Sequence, residues 1–133
     1  ASGVQIATRF IATNECDASL AYKEIMVDAK EEDAILVKSL VGMPGRALKN
    51  PLTEKLEDGI KVAPMSCNHC VKTCAKGNNT PYCISQALID AVNGRWESGL
   101  FFCGSNVGRV QEIVSVEELI HQVMSEYRKE MDL

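Results

Sequence analysis

Gly3-Val4-Gln5-Ile6-Ala7-Thr8-Arg9-Phe10 begins the readable pattern of the chain, and its apolar Val4, Ile6 and Phe10 predict a short strand over 4–10. Nothing ahead of it supplies a partner strand or a covering helix, so it reads as the middle of a larger sheet. Behind it, Asp17 reads as the cap of a helix over 18–32, with Leu20, Ala21, Ile25, Met26 and Ala29 facing inward and Lys23, Asp28 and Lys30 facing water. A second strand is expected over 34–41, ended by the turn Gly42-Met43-Pro44-Gly45. Asn50-Pro51 is an N-cap followed by proline at the first helical position, and Asp58-Gly59 closes that helix after Glu57.

Farther along, periodicity fades between Ile60 and Cys83, where Cys, Asn, Gly and Pro collect. Thr80-Pro81 then predicts a capped helix striped by Ile84, Ala87, Leu88, Ala91 and Val92 and stopped by Gly94. Gly99–Gly104 reads as a short apolar strand running into a glycine-rich loop. Ser115 with Glu118 forms a capping box for a last helix striped by Val116, Leu119, Ile120, Val123, Met124 and Tyr127.

The 133 residues have the scale of one core: a compact fold of 14.6 kDa exposes about 6,900 Å². With 14 Lys and Arg against 18 Asp and Glu, the net charge of −4 provides no basic footprint for nucleic acid or an anionic membrane. No apolar run reaches the ~18 residues of a membrane span, and no segment reads as a secretory signal, so a cytoplasmic location is expected.

In a reducing compartment, six Cys point to thiols, metal ligands or redox groups rather than a disulfide framework. Cys67-x2-Cys70-x3-Cys74-x8-Cys83 places four of them within seventeen residues, and no Asp or Glu lies from Ile60 to Ile89 while Lys61, Lys72 and Lys76 do. Four thiolates around Zn²⁺ or a [4Fe–4S]²⁺ core carry a net charge of −2, which nearby lysines offset. Asn68, Gly77 and Asn79 suit tight turns around such a centre. Zinc, an iron–sulfur cluster and unliganded thiols all stay open on this spacing, with His69 a substitute ligand. Cys16 and Cys103 read as packing residues, and His121 as structural or exposed.

Three stretches in one order carry a family resemblance. They are Gly3–Phe10 with Ala12-Thr13-Asn14-Glu15 and Tyr22-Lys23, then Gly45-Arg46-Ala47-Leu48-Lys49-Asn50, then Gly99–Gly108 with the capped final helix. Together they resemble the C-terminal part of the nitronate monooxygenase (2-nitropropane dioxygenase) and enoyl-acyl-carrier-protein reductase II family, whose fold is a TIM barrel holding FMN. The resemblance implies an α/β class, a C-terminal fragment of a (β/α)8 TIM barrel with a mostly helical, Cys-rich insertion. Residues 1–133 are then expected to form one segment of the flavin-binding barrel, with 60–83 a Cys-rich candidate metal-binding loop within it. Strand 4–10 takes the place of the family's eighth barrel strand.

Barrels of this kind commonly hold a phosphate in the loops after strands seven and eight. By that resemblance Ala7 and Thr8 contact the FMN phosphate, with Ala7 standing where the family usually has Gly. Gly104 and Ser105 belong to the loop near flavin and substrate, where Ser105 and Asn106 are candidate donors. Arg46 and Asn50 match a family motif without a catalytic assignment, since Asn50 already serves as an N-cap. The family's catalytic His and early flavin loops have no counterpart in these residues, so no catalytic residue is assigned and the segment alone is expected to be inactive. The parent activity implied is oxidation of a nitronate by reduced flavin and O₂, or reduction of an enoyl thioester by NAD(P)H, on a small-molecule substrate. Self-association is expected from apolar faces left without a packing layer. The rival from another class is a stand-alone, non-catalytic metal-binding or interaction module.

Overall fold

The computed structural model describes residues 3–38, 40, 43–64, 66, 67, 69, 70, 74 and 80–131. Capping residues decide where its helices begin. Asn50 precedes α3 (Pro51–Glu57), accepting from the Thr53 amide while the Thr53 hydroxyl accepts from the Asn50 amide. Gly59, at φ +73°, follows the end of that helix in the left-handed region where glycine carries no Cβ penalty. Ser115 and Glu118 make the expected reciprocal box at α5 (Val116–Glu130). Gly94, also at φ +73°, stops α4 (Ile84–Val92) as predicted, but Cys83 rather than Thr80 is its N-cap.

The readings over 4–10 and 18–32 need correction. The strand over 4–10 is absent: residues 3–7 are irregular and Thr8–Ile11 forms a single turn, α1, closed by Phe10 and Ile11 amides donating to the Ala7 carbonyl. A barrel strand needs neighbours to satisfy its ladder, and among the described residues none lies beside it, so the backbone satisfies itself locally. The next helix is shorter than 18–32. It is α2 (Leu20–Asp28), capped by the Ser19 hydroxyl accepting from the Tyr22 amide, not by Asp17. Its buried face is Tyr22, Lys23 and Met26, while Leu20 faces water; Lys23 is buried because its ammonium donates to the Asn14 carbonyl at 3.3 Å.

β1 (Ala34–Val37) pairs antiparallel with β2 (Gly45–Leu48) in the register Ala34↔Leu48. The strand expected over 34–41 ends at Val37; Val41 and Gly42 lie outside the described residues, and the sequence predicts no strand at 45–48. The segment predicted as a strand over 99–104 is extended but bridges β2 only at Phe102. Two backbone bonds fix it there, Leu48 N–H to Phe101 O and Cys103 N–H to Arg46 O, and Leu100 N–H donates to Ala87 O on its other side.

That segment divides the interior. Phe101 packs with Tyr22, Met26, Leu48, Ala91 and Val107, whereas Leu100 packs with Val37, Ala47, Leu52, Tyr82 and Ala87. Alternation along extended backbone sends successive side chains to opposite faces, so one stretch serves two clusters. Gly99 allows α4 to approach, since a Cβ there would lie 2.7 Å from Ala91 Cα. The last helix is less buried than its stripe predicts: Leu119 is buried, while Ile120, Met124 and Tyr127 remain 42–50% exposed. The chain's surface of 9126 Å² exceeds the about 6,900 Å² of a compact chain of this mass. No helix among the described residues is long and apolar enough to cross a membrane.

Candidate functional site

The N-terminal turn and the loop after residue 103 meet although 96 positions separate them. Gly104 N–H donates to Thr8 Oγ1 at 2.7 Å. Further bonds zip the two stretches together: Asn14 N–H to Val114 O at 2.9 Å, Arg9 Nη1 to Glu112 O at 3.0 Å, and the Glu15 carboxylate accepting from Val116 N–H at 3.0 Å. The last contact sets a negative charge against the N-terminus of α5, where the helix dipole favours it.

Between these stretches and α5 lies a cleft of about 830 Å³, within the range of small-molecule sites. All four residues named as flavin contacts, Ala7, Thr8, Gly104 and Ser105, line it. Ala7 sits at φ −125° and ψ −53°, so an L side chain is accommodated where the family usually has glycine. The Thr8 hydroxyl accepts from Gly104 and keeps its own proton to donate. Ser105 and Asn106 add donors to the wall, and Ile6, Ile11, Phe102 and Val110 add apolar surface.

The sequence reading missed part of the lining. Arg109 enters from the 3₁₀ turn Val107–Arg109, its Nε 3.8 Å from Glu31 Oε1 in an exposed pair. Leu119, Gln122, Val123 and Glu126 form one wall from α5, at the i, i+3, i+4, i+7 spacing that could have revealed it. Arg9 and Arg109 bring two cations to the lining, with Glu126 beside them and Glu31 paired to Arg109. Acceptor oxygens of a phosphate require donors and cations, and these residues offer both, so the lining fits the phosphate end of FMN.

Burial shapes two titratable groups beside the cleft. The Tyr22 hydroxyl is pushed up to about 12, mainly by burial and then by the nearby Cys103 and Cys16 thiols. The Cys103 thiol is pushed up to about 11 by burial, against the opposing pull of Arg46. Both stay protonated near neutrality.

The metal candidates are placed differently. Cys67 Sγ accepts from the His69 amide at 3.5 Å, Cys70 Sγ accepts from Ser85 Oγ at 2.9 Å, and Cys74 Sγ lies 3.7 Å from Thr80 Oγ1. Among the described residues no three His, Cys, Asp or Glu side chains converge as a metal set. The turn residues Asn68, Gly77 and Asn79, with Lys72 and Lys76, lie outside the described residues. His121 is exposed and 3.8 Å from Glu117, and Asn50 is buried in the scaffold rather than in the cleft.

Comparison with known proteins gives this arrangement a lineage. The chain is 27% identical to FabK from Thermotoga maritima, superposing with a TM-score of 0.75 over 99% of its own length and 39% of that chain. A mutant of the same FabK, M276A, superposes with a TM-score of 0.72. FabK is a TIM-barrel enzyme, so the fold is that of a portion of an α/β barrel. The chain is also 25% identical over 154 aligned positions to the (3aS,4S,5R,7aS)-5-hydroxy-7a-methyl-1-oxo-octahydro-1H-indene-4-carboxyl-CoA dehydrogenase of Mycobacterium tuberculosis, covering 93% of this chain and 42% of that protein. A probable nitronate monooxygenase of Staphylococcus saprophyticus is 33% identical over 58 residues, 44% of this chain and 16% of that protein. The chain thus spans about two-fifths of the dehydrogenase and of FabK, and less of the monooxygenase. The family model for nitronate monooxygenase matches residues 1–126, which takes in both sides of the cleft, and the chain belongs to that family.

Proposed function

We propose that these residues work as one segment of an FMN-dependent oxidoreductase of the nitronate monooxygenase or NAD(P)H-dependent enoyl-thioester reductase type, and supply the phosphate side of its flavin site. The observation that carries this reading is the Thr8–Gly104 hydrogen bond at the cleft, joining two stretches nominated separately by the family resemblance. Thr8 and Ser105 hydroxyls donate to the phosphate, Ala7 and Gly104 let the backbone approach, and Arg9 and Arg109 supply positive charge. Bound flavin would supply hydride or electron transfer, while the chain supplies position and charge. NAD(P)H or O₂ is the redox partner, a small molecule the substrate, and the cytoplasm the expected compartment. The segment alone does not turn over, because these residues contribute only one end of the cofactor site.

Flavin-fluorescence titration tests this in two arms. The 133-residue chain alone should show no submicromolar FMN affinity. Expressed within its full reading frame, Thr8→Val weakens FMN binding by about 10- to 100-fold, the worth of one hydrogen bond to a charged group, and Thr8→Ser restores it. Submicromolar binding by the chain alone, or an unchanged affinity in Thr8→Val, overturns the assignment.

A further inference from the structure

The thiols from Cys67 to Cys83 take no part in the cleft, yet their placement is not scattered. Val62 N–H donates to Pro81 O at 2.7 Å, so the stretch between them is closed at its neck. Tyr82, 2% exposed, anchors that neck, and its hydroxyl donates to Lys38 O at 3.3 Å. Cys83 follows as the N-cap of α4, without a side-chain cap bond of its own. Cys74 meets Thr80 on one side of it and Cys70 meets Ser85 on the other. Three of the four thiols therefore gather on residues 80–85. Cys67 lies three positions from Cys70, a reach of at most about 10 Å.

We infer that Cys67, Cys70, Cys74 and Cys83 form a four-thiolate metal centre against the first turn of α4. The partners of three of these sulfurs are replaceable: a hydroxyl for Cys70 and Cys74, and the His69 amide and ring for Cys67. Binding draws the sulfurs the remaining distance. Four thiols give up four protons to the solvent when Zn²⁺ binds, and the resulting centre carries a charge of −2. A stretch from Ile60 to Ile89 without Asp or Glu, bearing Lys61, Lys72 and Lys76, and the N-terminal dipole of α4 both suit that charge. A cubane iron–sulfur cluster makes the same demand on the same ligands.

The test uses the whole chain, kept anaerobic with its thiols reduced, and offered zinc in one arm and, in the other, ferrous and ferric iron in equal amounts with sulfide. The expected result after desalting is about one zinc, or about four iron with four sulfide and broad visible absorption, per chain. Alkylation of the loaded protein, read by mass spectrometry, should then modify only Cys16 and Cys103. Cys70→Ser should lower retained metal at least about tenfold, and Cys16→Ser should leave it unchanged. Should Cys70→Ser fail to fold, the alkylation pattern of the unaltered chain still decides. Less than about a tenth of an equivalent in both arms, or a loaded protein in which any of the four thiols reacts freely, overturns the inference.

Discussion

Asn50 is the residue whose replacement the scaffold should tolerate least. It is 3% exposed, and every polar group it has is used. Its side-chain oxygen accepts from Thr53 N–H at 3.0 Å, and its amide nitrogen donates to Trp96 O at 2.8 Å and Gly99 O at 2.7 Å. Asn50→Ala removes a cap worth about 1 kcal/mol and orphans two carbonyls, of which the buried Gly99 oxygen costs about 1–3 kcal/mol and the part-buried Trp96 oxygen less. The sum is about 2–5 kcal/mol, a large share of the 5–15 kcal/mol typical of a domain. Urea unfolding followed by circular dichroism reads it as a fall in midpoint at constant slope.

Asn50→Asp separates the two roles. As an N-cap, Asp equals Asn, so if capping alone mattered the variant would be within about 0.5 kcal/mol of the parent. The geometry predicts otherwise, because a carboxylate oxygen would face both carbonyls where the amide now donates. The loss at neutral pH should match or exceed that of Asn50→Ala. The introduced carboxyl has its pKa raised on folding, so its protonated form can donate. The deficit should accordingly shrink below the unfolded carboxyl value of about 4 and grow as pH rises through the folded one. Asn50→Asp as stable as the parent at neutral pH would refute the reasoning.

Tyr22 should stay protonated well above the ordinary tyrosine value of 10.0, visible as a delayed step in ultraviolet titration, since burial raises it to about 12. With the folded value above the unfolded 10.0, its contribution to stability is complete below pH 10 and is lost as pH climbs through about 12; a chain equally stable across that window would contradict it. The exposed Ile120, Met124 and Tyr127 on α5, with Leu88, Ile89 and Val92 on α4, should drive self-association at tens of micromolar. Light scattering at the monomer mass throughout that range would rule this out.

How far the sequence reveals this molecule depends on how local each signal is. The caps at Asn50 and Ser115 and the stops at Gly59 and Gly94 are decided within a few residues, and all were readable. The segment 45–48 was not, because its strand character comes from pairing with 34–37 and with Phe102, and Gly-Arg-Ala-Leu has no alternation of its own to announce it. Residues 4–10 failed in the opposite way. Their apolar pattern is that of a strand, but a strand forms only where neighbours accept its hydrogen bonds, and the local turn at Thr8–Ile11 wins without them. Lys23 was placed outward by its charge, whereas a single carbonyl acceptor at Asn14 suffices to bury it.

The cleft obeys the same distinction. Thr8 and Gly104 were each named from family stretches, but nothing in either stretch says that they touch. Their meeting follows from a relay of backbone contacts. Asn50 grips the carbonyls of Trp96 and Gly99, β2 grips Phe101 and Cys103, and Gly104 is thereby delivered to Thr8, whose own neighbours Asn14 and Arg9 are tied to Val114 and Glu112. On the 99–104 side every group in that relay is a main-chain one, indifferent to side-chain identity, so substitutions along 99–103 that preserve size should leave the cleft intact. The side chains that take part are those of Asn50, Thr8 and Arg9, and of these Asn50 holds the relay at its start. A change there, remote from the cleft lining, should reach the site by releasing Gly99, which makes this buried cap a positioning residue for the cleft as well as a structural one.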